Sequence, residues 1–592
     1  MDVKEGCCWR CYTALSKTTV NCGSCGIAEY CSNKCKENDQ TRHKSVECPT
    51  WSAKPCAACK KVGAKNECSG CYSVWYCNKD CQLSDWAKHK PVCRKWQKIV
   101  EQVGSRPFTF MGDYPFYFSN SFPNDLLNIQ NNEMKGKQGI QATFNILLPA
   151  CGDLLHMMKT VESQPKAFTS SLKFVLNDID PFTMARNVLL LFLMFTCEAK
   201  QVSTVSTIWL SLQLPLNDYL LLREKLSNLI EMDSSRLKKI TGGMIDVNEQ
   251  SYKVMREVWS GWVKYPCEIK NGKSDDIMKE RKAIFDSDPG ARLGLVGHLH
   301  DVPQQHVNSI KKWFDDGKIL PGYMVDGVMT NYNPTFTGRG REPYFLATVK
   351  SPSSYNFSYC IRSDCIPYQI WDYLDLAQFK RCDSVITMCH EFTTHVVAKT
   401  RDMMRDRRLS IYICTEDFLE LGSVIPGQVF DRIFASNLID YYRISQTIEI
   451  LEPFLSKTNP HAALFMETFN WFLGIDGAVW PTAKSRQMEL NARGLKDCNL
   501  KIRDLVGRKV SCFHEYYDNT AYFINYLRGE RHTGTKPIPK LSDVMNCHGL
   551  TMRDFRKGRN RVIPFNQRVA VRTVNMLNGD VRTLEWYRSN AE

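Results

Sequence analysis

Sixteen residues with metal-ligand chemistry stand in two consecutive ladders at the start of this chain. The first reads Cys8, Cys11, Cys22, Cys25, Cys31, Cys35, His43, Cys48, and the second Cys56, Cys59, Cys68, Cys71, Cys77, Cys81, His89, Cys93. In both, five residues separate the fourth and fifth ligands, three the fifth and sixth, and seven the sixth and seventh. Zinc takes four soft or borderline ligands in a tetrahedron, and Cys-x-x-Cys lets one knuckle supply two of them. Eight ligands per ladder therefore predict two zinc ions per ladder, four Zn2+ in all. Cys7 is the odd thiol, because Cys8 gives the spacing that all four knuckles share. A disulfide framework is the competing chemistry. Paired knuckles with a histidine near the end of each ladder are metal spacing. The opening Met1-Asp2-Val3-Lys4-Glu5-Gly6 also holds no apolar run to route the chain to an oxidising compartment.

The elements that must position these ligands are small. A finger of about 40 residues buries little apolar area, so metal binding supplies most of its folding free energy. Such fingers are expected to fold apart from the rest of the chain, so that Cys68→Ser unfolds the second and leaves the body's melting unchanged. At 592 residues the chain is too long for one ordinary core, and a large or two medium domains should follow the fingers. Hydrophobic content of 43% with 24% charged residues describes a globular, soluble protein. The longest apolar stretch, Asn187 to Cys197, is about half of what a membrane span requires and reads as a buried helix. Fourteen of the 26 cysteines belong to the ladders and the others are scattered singly, as in a reducing cytoplasm or nucleus, so secretion is not expected.

Net charge is +14, and residues 1–98 hold 17 Lys and Arg against 9 Asp and Glu, which is 8 of that excess. The tail is Arg-rich as well (Arg553, Arg556, Arg559, Arg561, Arg568, Arg572). Nucleic acid would call for that charge on one face with aromatic or helical readers. The simpler expectation is a solvated surface that attracts acidic partners.

The second ladder ends WYCNKDCQLSDWAKHKPVC and closely resembles the MYND zinc finger. The resemblance implies interleaved ligands: Cys56, Cys59, Cys77 and Cys81 on one zinc, and Cys68, Cys71, His89 and Cys93 on the other. It maps the first ladder likewise, with Cys8, Cys11, Cys31 and Cys35, then Cys22, Cys25, His43 and Cys48. MYND fingers are protein-interaction modules that often take short proline-containing peptides through a Gln and a Trp, which here are Gln82 and Trp86. An indole offers a large rigid face to a proline ring at small entropy cost. The alternative role for Trp86 is packing against the finger's own helix. Finger one has Lys36 and Gln40 at those places and is expected to be structural.

Downstream, Phe144 to Pro149 (FNILLP) reads as a buried strand followed by Cys151-Gly152-Asp153. A helix over Leu154 to Ser163 and a strand over Leu172 to Leu176, ending Asn177-Asp178, complete the opening of a doubly wound α/β sheet. Later, Leu409 to Cys414 and Phe430 to Asn437 read as strands, Ile448 to Leu455 as a helix and Ala463 to Glu467 as a strand. The pattern predicts fingers at 1–50 and 51–95, a connector at 96–138, the halves of one α/β body at 139–200 and 401–592, and a helical insertion at 201–400. The last half includes an Arg-rich C-terminal extension.

This body resembles a class I methyltransferase core. The resemblance implies that Gly152 and Asp153 approach the methionine part of S-adenosylmethionine, Asp178 the ribose, and Asp417 the adenine, with Asn437 on the substrate side. More narrowly, CGD, LNDIDPFTMARN and FDRIFASNLIDYY resemble a MYND-associated family whose methyltransferase-like domain is shared with axonemal dynein assembly factors. Active members usually present several glycines in the first turn, whereas PACGDLL offers one. The expected function is a zinc-binding scaffold whose fingers dock protein partners and whose degenerate body assists assembly without catalysis. The alternatives are a live S-adenosylmethionine-dependent methyltransferase and a MYND-based transcriptional corepressor adaptor. CHEFTTH (Cys389 to His395) is not a zinc-protease motif, because His390 and His395 are five apart and lie about 140° from each other on a helix.

Overall fold

The computed structural model describes residues 6–588 except 17, 107–116, 120, 136–139, 270–276, 280–302, 325–327, 340–351, 355–356, 360–366, 498–509, 533–536 and 569–578, so Arg572 lies outside the described residues. Each ladder folds around a short antiparallel hairpin, Val20–Asn21 with Glu29–Tyr30 and Asn66–Glu67 with Trp75–Tyr76. A helix then carries the late ligands. In finger two that helix, α1 (Lys79–Ser105), does not stop at the last ligand. It runs on to Ser105, through the first part of the expected connector, so the boundary drawn at residue 95 falls inside one continuous element.

The body is built on a nine-stranded mixed sheet. In chain order its strands are β1 (Thr143–Pro149), β2 (Ser171–Asn177), β3 (Ile245–Val247), β4 (Leu409–Cys414), β5 (Arg432–Phe434), β6 (Ala463–Thr468), β7 (Asn546–Cys547), β8 (Leu550–Met552) and β9 (Arg582–Arg588). In space they run β7-β8-β9-β6-β5-β1-β2-β4-β3. The six strands β1 to β6 are mutually parallel, and β9 pairs antiparallel to β6, Leu464 opposite Trp586. The 201–400 segment supplies helices such as Leu216–Glu231, but Ile245–Val247 also adds the edge strand β3.

Alternation along the strands sends side chains into two cores, one on each face. Phe144, Ile146 and Leu148 of β1 join Phe174 and Leu176 of β2 on one side. That side is covered by α2 (Leu155–Glu162), by α3 (Pro181–Thr196), which is buried on nearly every face, and by α4 (Val385–Arg405). Leu147 and Val175 turn to the other side, with Ile433 and Leu464. The cover there comes from α5 (Ile444–Leu451), α6 (Thr520–Glu530) and the C-terminal half of α1, through Ile99 and Val103. No helix among the described residues is long and apolar enough to cross a membrane. His390 and His395 both sit on α4, His390 bonded to Thr207 Oγ1 at 2.9 Å and His395 against the Phe379 ring, so no metal site joins them.

Finger two keeps a small core of its own around Cys56, Cys68, Cys71, Tyr76 and Cys93, while the helix leaving it enters the body's core and Tyr72 and Trp96 pack against that core. The contact is close because α1 and α6 meet at glycines. A Cβ on Gly529 would lie 2.4 Å from Val103 Cβ and 2.9 Å from the Val100 carbonyl, and one on Gly104 would lie 2.7 Å from the His532 carbonyl. Gly529→Ala is expected to destabilise the chain by about 1–3 kcal/mol through overpacking. Thermal unfolding checks this, with zinc content by atomic absorption as the control.

Candidate metal centres and the cavity beside the sheet

The four knuckles share one backbone solution. The residue after each second cysteine has positive φ (Tyr12 61°, Gly26 71°, Lys60 64°, Tyr72 53°). Its N–H donates back to the carbonyl of the first cysteine at 2.8–3.0 Å. This reversal aims both thiols of a knuckle at one point. Next, the residue after the fifth ligand caps the helix bearing the sixth, with Ser32 Oγ accepting from Cys35 N and Asn78 Oδ1 from Cys81 N. Finally, the tyrosine before the fifth ligand donates to an acid four residues past the sixth, Tyr30 to Asp39 and Tyr76 to Asp85, both at 2.9 Å.

Ligand atoms gather in four quartets: Cys8, Cys11, Cys31, Cys35; Cys22, Cys25, His43, Cys48; Cys56, Cys59, Cys77, Cys81; and Cys68, Cys71, His89, Cys93. A zinc tetrahedron with bonds of about 2.3 Å to sulfur and 2.0–2.1 Å to nitrogen has edges of about 3.8 Å between sulfurs and about 3.6 Å between sulfur and nitrogen. The observed edges match. Cys11 and Cys31 are 3.6 Å apart, Cys22 and Cys48 3.8 Å, Cys59 and Cys77 3.7 Å, and His89 Nε2 lies 3.4 Å from both Cys68 and Cys71. The donor sets fit zinc. Cys7 lies outside every quartet and lines a cleft of about 770 Å³ between finger one and the body.

Finger one departs from finger two in two spacings: ten residues rather than eight separate its second and third ligands, and one residue is added before its eighth. Four residues separate His43 from Cys48, but three separate His89 from Cys93. The helix absorbs the insertion as a π turn over His43–Glu47, in which Cys48 N–H bonds back to His43 O. Cys48 thereby returns to ligand position. Glu47 meanwhile lies against the histidine, with His43 Nδ1 donating to Glu47 Oε2 at 3.1 Å and Nε2 facing Cys25 Sγ at 3.5 Å. A carboxylate behind a ligating imidazole fixes its tautomer and ring orientation.

Glu47 in turn anchors finger one to the body. Arg568 donates to Glu47 Oε2 at 2.6 Å and to Asp39 at 2.9 and 3.0 Å, while Arg42 bonds Glu47 and, at 3.0 Å, Glu515. All five side chains are almost fully buried. Burial opposes the charge on Glu47, but Arg42 and Arg568 outweigh it and hold the carboxyl well below its ordinary value. Asp39, His43 and Glu47 form an acid–imidazole cluster whose oxygens these cations already occupy, so it is no fifth metal centre. Three arginines of the tail are therefore not the solvated surface the composition suggested, although Arg561 is exposed. Arg556 bonds Glu67 of finger two, Arg553 bonds Glu585, and Arg568 lies under finger one.

Beyond the Arg556–Glu67 pair, body contacts to finger two run to backbone carbonyls and rings. Asn525 and Arg528 of α6 donate to the Cys71 and Gly70 carbonyls at 2.9 Å, and Trp96 packs on Tyr522 at 4.6 Å. The predicted groove residues face outward: Gln82 is half-buried, and Trp86 is exposed with its ring 6.1 Å from His89.

Of the predicted cofactor residues, Gly152, Asp178, Asp417 and Asn437 line one cavity at the carboxyl ends of β1, β2, β4 and β5, with Phe418, Tyr441 and Tyr442. Asp153 does not line it. It is buried with Ser119 N and Leu155 N on its oxygens, and burial pushes its carboxyl up to about 7. Asp178 is turned onto its own chain, accepting from Gly152 N at 2.9 Å and Asp180 N at 3.0 Å. Asp417 caps the following turn through Leu419 N. The cavity holds only about 100 Å³. Sequence reading missed the aromatic wall, although the Tyr-Tyr of FASNLIDYY was in view.

With this geometry in hand, comparison with known families is informative at two places. Residues 56–93 match the MYND finger. Residues 117–214 match a domain of unknown function, DUF4470. No curated protein and no solved structure matches the chain. The N-terminal region is thus a zinc-binding one with a protein-interaction finger.

Arg568→Ala leaves Asp39 buried without its bonded cation and Glu47 with Arg42 alone, and is expected to cost about 3–5 kcal/mol. It should also speed transfer of zinc to a chromogenic chelator. Stripping all zinc should lower the melting temperature of the whole chain in a single transition, since fingers and body share buried contacts; calorimetry separates one transition from two.

Proposed function

We propose that this chain is a zinc-stabilised interaction scaffold. Four zinc ions hold two tandem MYND-type fingers. Finger two docks peptide partners across Gln82 and Trp86, finger one clasps the C-terminal tail, and the sheet organises the assembly without catalysing. The methyltransferase resemblance is supported by the strand order β4-β2-β1-β5-β6, a doubly wound arrangement with the first strand central, followed by the reversed β9.

The observation that carries the non-catalytic reading is the cavity. Nucleotide-sized ligands need about 300–1,000 Å³, and this site offers about a third of the lower bound. Asp178 also spends both oxygens on the Gly152 and Asp180 N–H groups, and Asp417 one on the Leu419 N–H. S-adenosylmethionine does not fit these residues as arranged. The live-enzyme alternative draws its support from the four expected residues lining one cavity.

Calorimetric titration with S-adenosylmethionine is expected to give no heat even at millimolar ligand. Micromolar binding, lost in Asp178→Ala, would establish the enzyme instead. Elemental analysis should return four zinc ions per chain.

A further inference from the structure

Finger two's outward face carries more than an indole. Lys79, Leu83, Trp86, Lys90 and Arg94 follow one another at spacings of four, three, four and four along α1, which puts them on one stripe of the helix. All five are exposed, Leu83 by 62% and Trp86 by 39%. From Lys79 to Lys98 the helix bears six cations, with Lys88, Lys95 and Lys98 beside the three named, against Asp80 and Asp85. Asp85 already accepts from Tyr76. Among the described residues, Lys79, Lys90 and Arg94 have no carboxylate partner, whereas three arginines at the finger–body seams do: Arg10 with Asp497, Arg556 with Glu67, and Arg568 with Glu47 and Asp39. The body thus satisfies its own seams and leaves this stripe to something else. Finger one has no such stripe, since Asn33, Glu37 and Gln40 stand where finger two has Lys79, Leu83 and Trp86.

We infer that the partner of finger two is an acidic peptide segment with an apolar anchor, laid along Lys79, Leu83, Trp86, Lys90 and Arg94. This rests on the docking role proposed above for Trp86 and adds the chemistry of what docks. Leu83 and Trp86 supply a central apolar contact, and the cations flank it on both sides along the axis. Fifteen steps of about 1.5 Å give a stripe of about 22 Å, which about seven extended residues would cover. Carboxylates on that segment would meet unpaired ammonium and guanidinium groups, raising the association rate and fixing direction more than adding contact area. Single-stranded nucleic acid fits less well, because it needs successive aromatic platforms and this stripe offers one indole beside an aliphatic side chain.

The test uses the full zinc-loaded chain and three fluorescent peptides that share a Pro-Leu-Pro core, flanked by glutamates, by serines or by lysines. Anisotropy titrations at low salt are expected to rank them glutamate, serine, lysine, with the first about tenfold tighter than the second and the gap closing as salt is added. Combined Lys79→Glu, Lys90→Glu and Arg94→Glu should invert the ranking with zinc content unchanged. Trp86→Ala should weaken all three peptides together. Equal affinity for the glutamate and serine peptides would overturn the charge inference while the docking groove survives. If none of the three peptides binds, both fall. A single-stranded oligothymidylate that binds more tightly than the glutamate peptide, and loses that binding in the triple variant, would likewise overturn it.

Discussion

The organisation of this protein depends on a buried charge relay that ends on a metal ligand. Arg568 reaches from the tail to Asp39 and Glu47, Arg42 reaches from finger one to Glu515, and Glu47 passes the connection to His43. Ions taken out of water at this depth are tolerable only when each meets its opposite in good geometry. Finger one, the segment around Glu515 and the tail are therefore committed to one mutual placement. A zinc ion held by Cys22, Cys25, His43 and Cys48 would lock the imidazole end, and the two arginines lock the other.

The two fingers are cousins put to different uses by small changes. Both keep the knuckle reversal, the helix cap and the tyrosine–acid bond. One added residue before Cys48 makes the π turn that brings a carboxylate behind the histidine, and finger one becomes inward-looking. Finger two lacks that residue, keeps its helix regular past Cys93, and presents Leu83 and Trp86 to solvent. A hallmark of function here is thus what each finger leaves unburied.

Much of this was legible beforehand. The ligand ladders are rigid constraints of spacing, and the strand over Leu409 to Cys414 was bounded by its own apolar run. Strands β1 and β2 came within a residue of their ends for the same reason. The β3 strand escaped because Ile245–Val247 is three residues long and owes its pairing to β4. The β9 strand escaped because RTLEWYR carries Arg582 and Glu585, which look solvent-facing until Asn519, Asn566 and Arg553 are placed against them. The cavity's lining residues were readable from strand ends, but its size was not, since the turning-in of Asp178 is a property of packing.

The unbroken course of α1 has a mechanical corollary. The same rod displays Trp86 at one end and buries Ile99 and Val103 in the body at the other, with no hinge loop between. Anything docked at the outer end would inherit a fixed bearing toward the sheet, and a single residue inserted after Arg94 would swing that bearing by about 100°.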